Sequence, residues 1–397
     1  MPSISKRAES IQASPLRKLA GVAQERKKTG IKVFHLNIGQ PDMETPQEYF
    51  DALHAVKKGA VEYSVSQGLP EMIDAWRGYY SSMVGVDLAQ DNIVVTCGGS
   101  EALTFSFAAV CDPGDNVIVF EPFYTNYNAF GTFTSAEVRP VATRLEDNFH
   151  LPTDEEIEKA IDEKTRAILI CNPGNPTGTV YRRDEIDRLM KLAKKHNLFV
   201  ISDEVYREFA FEQKAVSALE YPEMADSVIV IDSASKRFNA CGVRIGVLVS
   251  KNEEVMTAAT KFAMSRLAAP TIEQQALIPV LNNAAALVPP VVEEYRKRRD
   301  VVFEVLSTIP GLTVSKPEGA FYNICGLPVE SAEDFVLWMI SEFEDNGETV
   351  LVAPAPGFYA TPGKGGNEIR LAYVLDSDHM RRALELLKLG LEQYQQR

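Results

Sequence analysis

The sequence predicts an α/β fold in which helices pack on a largely parallel sheet. Six short apolar runs alternate with longer helix-like stretches, a pattern typical of parallel strands joined by crossover helices. The runs are Ile93–Thr96, Val117–Phe120, Ala167–Cys171, Leu198–Ser202, Ser227–Ile231 and Ile245–Val249. The unusual polar and glycine-rich segments follow directly after these runs. Because ligands bind beyond the carboxyl ends of strands in open α/β sheets, we expect these segments to meet at one sheet edge.

The bulk composition excludes several classes of protein. The chain has 397 residues, 45% hydrophobic and 24% charged, with a net charge of −14. This length allows two domains, and the acidic balance argues against nucleic acid or an anionic membrane as partner. The N-terminus has no apolar signal core, and no run reaches membrane-spanning length. Five cysteines without a CxxC pair indicate thiols of a reducing compartment, so we expect a cytoplasmic protein without a metal site.

The first two runs end in segments that suit a phosphate and an aromatic ring. Gly98-Gly99-Ser100-Glu101 opens a predicted helix over Ala102–Val110. Free N–H groups and the helix dipole make such a helix start a phosphate site, although many glycine-rich turns bind nothing. Tyr124 follows the second run and is placed to stack on a ring, with plain core packing as the alternative.

The third and fourth runs end in Asn172-Pro-Gly-Asn-Pro-Thr-Gly178 and Asp203-Glu-Val-Tyr206. A carboxylate at Asp203 can pair with a protonated pyridine nitrogen, or it can cap the following helix. Tyr206 and Asn175 can both donate hydrogen bonds to a phenolic ring oxygen. The alternatives are a core position for Tyr206 and a turn position for Asn175.

The fifth run leads into the most informative segment, Ser233-Ala-Ser-Lys-Arg-Phe-Asn-Ala-Cys-Gly-Val-Arg-Ile-Gly246. A lysine in an apolar pocket beside another cation can act as a nucleophile, which is the role predicted for Lys236. The hydroxyls of Ser233 and Ser235 and the guanidinium of Arg244 can hold a phosphate. A nucleophilic lysine beside a phosphate site is the chemistry of pyridoxal 5'-phosphate (PLP).

The character of the sequence changes after about residue 285. A long charged helix, Val291–Thr308, precedes strand-like pieces and predicts a second, α+β domain, with Pro289-Pro290 as its hinge or helix start. Within that helix, Arg296-Lys297-Arg298-Arg299 is expected to be a solvated face. The predicted large domain spans 46–284, and the small domain with an N-terminal arm comprises 1–45 and 285–397.

Arg370 is a charge within the apolar strand-like segment Ile369–Val374. Buried arginine is rare unless it is paired. Bidentate capture of a substrate carboxylate is the functional interpretation, and an internal ion pair with Glu368 is the structural one.

Together these segments resemble the class I/II PLP-dependent aminotransferases of fold type I, over essentially the whole chain. The lysine segment, the Asn172–Gly178 loop and Asp203–Tyr206 are in register with the family's motifs. The resemblance implies a large α/β/α domain with a mostly parallel seven-stranded sheet. It also implies that Gly39 contacts the substrate carboxylate and that Arg370 binds it. Tyr63 would reach the PLP phosphate of a neighbouring subunit, which makes a homodimer necessary for activity.

Within the family the chain is most similar to bacterial aspartate aminotransferases. The expected reaction is ping-pong transamination between L-aspartate and 2-oxoglutarate, with Lys236, Asp203 and Tyr206 as catalytic residues. Arg266 is a candidate for binding a second substrate carboxylate. Donors such as aromatic amino acids, a β-lyase or decarboxylase reaction, and a non-catalytic PLP-binding regulatory module remain alternatives.

Overall fold

The computed structural model describes residues 2–12 and 19–397. Within these residues the chain forms thirteen strands and fourteen α-helices. The strands are β1 (Lys32–His35), β2 (Ile93–Thr96), β3 (Asn116–Glu121), β4 (Glu137–Ala142), β5 (Thr165–Cys171), β6 (Phe199–Asp203), β7 (Val228–Ser233), β8 (Gly246–Val249), β9 (Thr313–Val314), β10 (Tyr322–Gly326), β11 (Glu348–Leu351), β12 (Ala353–Pro354) and β13 (Glu368–Ala372). The helices are α1 (Lys6–Ser10), α2 (Ala20–Lys28), α3 (Gln47–His54), α4 (Pro70–Tyr79), α5 (Gly99–Val110), α6 (Asn126–Thr134), α7 (Asp154–Glu158), α8 (Arg183–Lys195), α9 (Ala234–Arg237), α10 (Glu253–Ser265), α11 (Thr271–Asn282), α12 (Ala284–Leu306), α13 (Ala332–Ser341) and α14 (Ser377–Tyr394).

Seven strands form one mostly parallel sheet in the order β2-β8-β7-β6-β5-β3-β4. The five strands from β7 to β4 run parallel, whereas β8 is antiparallel to both β7 and β2. Alternate residues of β3 enter two apolar clusters, Ile118 on one face and Val117 and Val119 on the other. Burial on both faces explains why such strands are continuous apolar runs. The predicted α/β fold with a mostly parallel seven-stranded sheet is confirmed.

The strand missing from the six predicted runs is β4. It contains Arg139 and Pro140, and most of its side chains are half-buried or exposed. It pairs only with β3, so it lies at the edge of the sheet, where proline is tolerated. The side chains of β4 lack the two-sided burial that produces an apolar run, so hydrophobicity did not identify this strand.

The remaining strands build two smaller sheets. Strands β12, β13, β10 and β9 form an antiparallel sheet, and β1 pairs in parallel with β11. Strand β1 therefore brings the N-terminal stretch to the C-terminal part of the chain. All strands of the large sheet lie within 46–284 and all others lie outside it. The predicted domain division agrees with this distribution and stays a prediction, since residues 1 and 13–18 of the predicted arm lie outside the described residues.

The long charged helix starts earlier than predicted. Helix α12 begins at Ala284 and contains Pro289 and Pro290, because hydrogen bonds to the Asn283 carbonyl oxygen already start its ladder. The chain bends by 82° between α11 and α12, so the bend lies at Asn283 and not at the prolines. This bent pair passes a length-and-composition test for crossing a membrane, whereas no single described helix does.

The basic cluster on α12 is not a fully solvated face. Arg298 and Arg299 are buried at 3% and 1% exposure. Arg298 donates to Asp42 at 2.7 Å, and Arg299 donates to Glu212 at 2.9 Å and to a backbone carbonyl. The expectation was wrong for these two residues, because their acidic partners lie far away in sequence and only the fold brings them together.

His150 connects the large sheet region to the strand β10 region. Its ring nitrogens lie 2.9 Å from the buried Glu185 carboxylate on α8 and 3.2 Å from Glu318, just before β10. Burial disfavours the charged ring, but the two carboxylates outweigh it and raise the pKa of His150 from 6.5 to about 9. The charged ring therefore stabilises the folded chain.

His150→Gln is expected to lower the free energy of unfolding by about 2 kcal/mol below pH 6.5. Because the folded-state pKa is raised, this contribution is fully present below the unfolded pKa and is lost as pH rises through about 9. Urea denaturation at pH 6 and pH 9.5 measures the difference, with the exposed His54→Gln as control. A destabilisation that is equal at both pH values would contradict the ion pairs.

Candidate active site

One cavity of about 330 Å³ lies where the carboxyl ends of β5, β6 and β7 meet the antiparallel small sheet. This volume is in the range of small-molecule sites. Twelve of the fourteen residues selected from the sequence line it. They are Gly39, Gly99, Ser100, Tyr124, Asn175, Asp203, Tyr206, Ser233, Ser235, Lys236, Arg244 and Arg370. The two that do not line it are Tyr63 and Glu101.

The start of α5 forms one corner of the cavity. Gly99 and Ser100 are its first residues, and the Arg244 guanidinium, held by two backbone carbonyls, lines the same corner. Gly98 precedes them at a φ of 77°, and a Cβ there would overlap that guanidinium. Glycine is therefore required for the approach of Arg244. A helix N-terminus beside a guanidinium and hydroxyls is a donor set that suits a phosphate.

Lys236 lies in the four-residue helix α9, directly after β7. The Ser233 hydroxyl caps this helix by accepting from the Ser235 N–H at 3.1 Å, and the two hydroxyls are 2.8 Å apart. The Lys236 Nζ donates to the Gly39 carbonyl oxygen at 2.8 Å. The amine thus lies between the large sheet and the segment that follows β1.

Buried ion pairs hold α9 in place. The Asp232 carboxylate pairs with Arg237, the residue after the lysine, and with Arg207 at 2.9 Å. Asp232 and Arg237 are completely buried. Glu204 and Glu208 add two more carboxylates as partners of these two arginines. Because these ion pairs are buried, water screens them little, and they stabilise the position of the helix that carries Lys236.

Asp232→Asn is expected to lower the free energy of unfolding by about 3 kcal/mol, because two buried guanidiniums lose a charged partner. Urea denaturation at neutral pH measures the effect. Asp226→Asn, at an exposed position, is the matched control and is expected to change stability by less than about 0.5 kcal/mol. Equal effects of the two substitutions would contradict the structural role of the buried pairs.

Asp203 ends β6 and is 4% exposed. One carboxylate oxygen accepts from the Tyr127 hydroxyl at 2.8 Å, and the other accepts weakly from the Val205 N–H at 3.4 Å. No lysine or arginine among residues 2–12 and 19–397 forms an ion pair with it. Burial raises the pKa of Asp203 to about 6, although the Tyr127 hydrogen bond opposes the rise. The site therefore presents a buried carboxylate that lacks a cation.

Arg370 is buried on β13, at 1% exposure. It donates to the Asn37 carbonyl oxygen at 2.6 Å and to Asn175 Oδ1 at 3.3 Å, and its Nε has no hydrogen-bond partner. Burial lowers the pKa of Arg370. Within the described part of the chain no carboxylate pairs with it, and Glu368 bonds to Tyr359 instead. The arrangement favours the carboxylate-binding interpretation over the internal ion pair.

Glu101 turns away from the cavity. Its carboxylate accepts from the Cys97 N–H at 2.9 Å and from Arg266 Nε at 3.0 Å. Arg266 also donates to the Val95 carbonyl oxygen and does not line the cavity, so it is not available there for a second substrate carboxylate. Tyr63 is 80% exposed on the outer surface. Its predicted role in a neighbouring subunit stays a prediction.

The sequence matches the family described as aminotransferase class I and II over residues 31–387. The chain belongs to the class I and II aminotransferases. Members of this family are PLP-dependent transaminases, which confirms the enzyme class that the lysine segment, the asparagine loop and the Asp203 segment predicted.

Known relatives of this aminotransferase extend over nearly its whole length. The aspartate/prephenate aminotransferase of Thermus thermophilus is 30% identical, covering 97% of this chain and 98% of the relative. A solved aspartate aminotransferase from Thermus thermophilus with maleate is 28% identical, with a TM-score of 0.88 over 98% of this chain and 100% of that one. A solved alanine aminotransferase from Pyrococcus furiosus is 30% identical, with a TM-score of 0.90 over the same shares.

The donor set of the aminotransferase cavity fits PLP. The unpaired Asp203 carboxylate suits a protonated ring nitrogen, the α5 corner suits the phosphate, and Lys236 is the only lysine among the described residues that lines the cavity. These groups come from separate segments, and each requirement of the cofactor has a matching residue. The fit to PLP therefore rests on the chemistry of these side chains and on Asp203, which has no ion-pair partner among the described residues.

Sequence reasoning missed other residues of the aminotransferase site. Tyr127 holds Asp203, and Tyr322 on β10 lines the cavity beside Tyr206. Ile38, Gln40 and Cys241 line it as well. The sequence signal for Tyr127 was present, since it lies three residues after Tyr124. Nothing in the strand-like sequence around Tyr322 indicates that it returns to the edge of the other sheet.

Proposed function

We propose that the chain uses PLP held by Lys236 to move an amino group between L-aspartate and a 2-oxo acid, with 2-oxoglutarate as acceptor. One observation carries the proposal: Lys236, the unpaired carboxylate of Asp203 and the buried guanidinium of Arg370 converge on one cavity. Each group alone has a structural explanation. Their convergence supplies a covalent attachment point, a partner for a ring nitrogen and a carboxylate anchor together.

When bound, PLP supplies an aldehyde for the amino group and a ring that stabilises negative charge at the substrate Cα. Lys236 Nζ would take the proton from the substrate Cα and return it to the carbon of PLP that carried the aldehyde, as general base and then acid. The Asp203 carboxylate would keep the proton on the ring nitrogen of bound PLP. Tyr206 keeps its own proton, because burial raises the pKa of that hydroxyl, and so it donates to the ring oxygen together with Asn175.

Arg370 binds the α-carboxylate of either substrate. Two guanidinium nitrogens are held by Asn37 and Asn175, so the side chain is oriented before substrate arrives. Because both half-reactions use substrates with an α-carboxylate, one arginine serves both.

The choice of aspartate rests on the relatives and on the cavity together. Maleate, a dicarboxylate, is bound by the Thermus thermophilus enzyme, whereas the relative from Pyrococcus furiosus is an alanine aminotransferase. The described cations that line the cavity are Lys236, Arg244 and Arg370, and all three have other roles. The second carboxylate of aspartate is therefore bound by neutral donors of this chain or by a residue of a second subunit.

A homodimer is part of the proposal. Five large apolar side chains are exposed on neighbouring segments, Val61, Tyr63, Val65, Met264 and Leu267. The Ser64 N–H donates to the Thr271 hydroxyl at 3.2 Å and joins the first of these segments to the start of α11, just after Leu267. An apolar surface of this kind favours association. A second copy would cover it and bring Tyr63 to the neighbouring cavity.

The test is an absorption titration of the purified enzyme loaded with PLP. PLP attached to a lysine gives a yellow absorption band. L-Aspartate, L-glutamate, L-alanine and L-tyrosine are added separately, and the loss of this band is followed. We expect aspartate to act at the lowest concentration and 2-oxoglutarate to restore the band. Alanine or tyrosine acting at lower concentration would overturn the choice of donor. Release of ammonia and pyruvate without restoration would overturn transamination in favour of a lyase.

A further inference from the structure

Tyr322 contacts three residues that have different proposed roles. Its hydroxyl lies 2.8 Å from the Tyr206 hydroxyl, and both side chains are buried. The Arg370 guanidinium lies over the Tyr322 ring, 4.6 Å from its centre. A Cβ at Gly39 would overlap the Tyr322 hydroxyl, so the ring packs directly against the backbone that accepts from Lys236. One side chain of the small sheet therefore contacts Tyr206, Arg370 and the Gly39 backbone next to Lys236.

The direction of the hydrogen bond follows from counting protons. Tyr206 has a single hydroxyl proton, and burial keeps it on the oxygen by raising the pKa of Tyr206. If Tyr206 uses this proton to donate a hydrogen bond to the ring oxygen of a bound cofactor, its hydroxyl can only accept a hydrogen bond from Tyr322. A hydroxyl that accepts one hydrogen bond becomes a stronger donor in the next.

We propose that Tyr322 is a positioning residue, which strengthens the hydrogen bond from Tyr206 to the bound cofactor and supports Arg370 through its ring. This inference rests on the proposed use of PLP. Different parts of Tyr322 make the two contacts, so each can be removed separately. The hydroxyl forms the hydrogen bond with Tyr206, and the face of the ring contacts the Arg370 guanidinium.

The first test is Tyr322→Phe, which removes the hydroxyl and keeps the ring. Without the Tyr322 hydroxyl, Tyr206 donates a weaker hydrogen bond to the PLP ring oxygen, which disfavours the deprotonated form of that oxygen. The pKa of the yellow chromophore, PLP attached to Lys236, is therefore expected to rise by about 0.5 in a spectroscopic pH titration. KM for the amino donor is expected to stay within about twofold, because the ring still supports Arg370. An unchanged chromophore pKa would overturn the proposal.

The same substitution in a Tyr206→Phe background is the control. If the hydroxyl acts through Tyr206, Tyr322→Phe has no further effect on the chromophore pKa there. A shift of equal size in both backgrounds would overturn the assignment, since the hydroxyl would then act by another route.

A second variant, Tyr322→Leu, tests the ring. It is expected to shift the chromophore pKa like the phenylalanine variant and in addition to raise KM for donor and acceptor by about tenfold. An unchanged KM would contradict the support of Arg370. The absence of a yellow band in the unmodified protein with PLP would contradict the proposed function. A yellow band whose pKa does not change on substitution of Tyr322 would contradict only this inference.

Discussion

Lys236→Ala is expected to reduce transamination by at least about 10⁴-fold, because the attachment point of the cofactor and the group that moves the Cα proton are lost together. The protein is expected to stay folded, since the neighbouring ion pairs of Arg237 and Asp232 remain. The measurement is the initial rate with L-aspartate and 2-oxoglutarate at saturating PLP, together with the far-ultraviolet circular dichroism spectrum.

The matched control is Lys191→Ala, at an exposed position on α8, and it is expected to keep full activity. Turnover by Lys236→Ala at the unmodified rate would contradict the mechanism. Partial recovery of the variant by added small amines would support it, because an external amine can then take over the proton transfer.

Arg370→Lys is expected to lower kcat/KM by about 10²–10³-fold for every amino acid and 2-oxo acid tested. Lysine keeps the charge but loses the planar fork that Asn37 and Asn175 orient. The loss is expected to be independent of the substrate side chain, because the α-carboxylate is common to all substrates. Steady-state kinetics with aspartate, alanine and tyrosine measure it.

PLP affinity is the internal control for Arg370→Lys, and it is expected to be unchanged because the proposed phosphate corner lies at α5 and Arg244. A loss confined to aspartate would contradict the assignment and would move Arg370 to the second substrate carboxylate.

The sequence predicted those parts of the site that follow directly after buried strands. Asn175 follows β5, and Asp203 and Ser233 are the last residues of β6 and β7, so parallel pairing brings them to one edge. Lys236 follows Ser233 within one short helix. The apolar runs were visible because these strands are buried on both faces, whereas β4 was missed because its edge position permits Arg139 and Pro140.

Contacts between distant segments were beyond sequence reasoning. Tyr322 and Tyr206 are 116 positions apart, and their meeting depends on how the small sheet packs against the large one. Glu101 was expected at the cofactor, but Arg266, 165 positions away, draws its carboxylate outward. The buried Arg298 and Arg299 pair in the same way with Asp42 and Glu212, which are distant in sequence and more exposed. Such pairings leave no local pattern in the sequence.

Attachment of PLP to Lys236 is tested by locating the cofactor on the chain. The protein is incubated with PLP, treated with sodium borohydride to make a lysine–aldehyde linkage permanent, digested, and analysed by mass spectrometry. We expect stoichiometric modification of the peptide that contains Lys236, without comparable modification of other lysines. No incorporation, or incorporation spread over surface lysines and equal in Lys236→Ala, would contradict the claim that this cavity holds PLP.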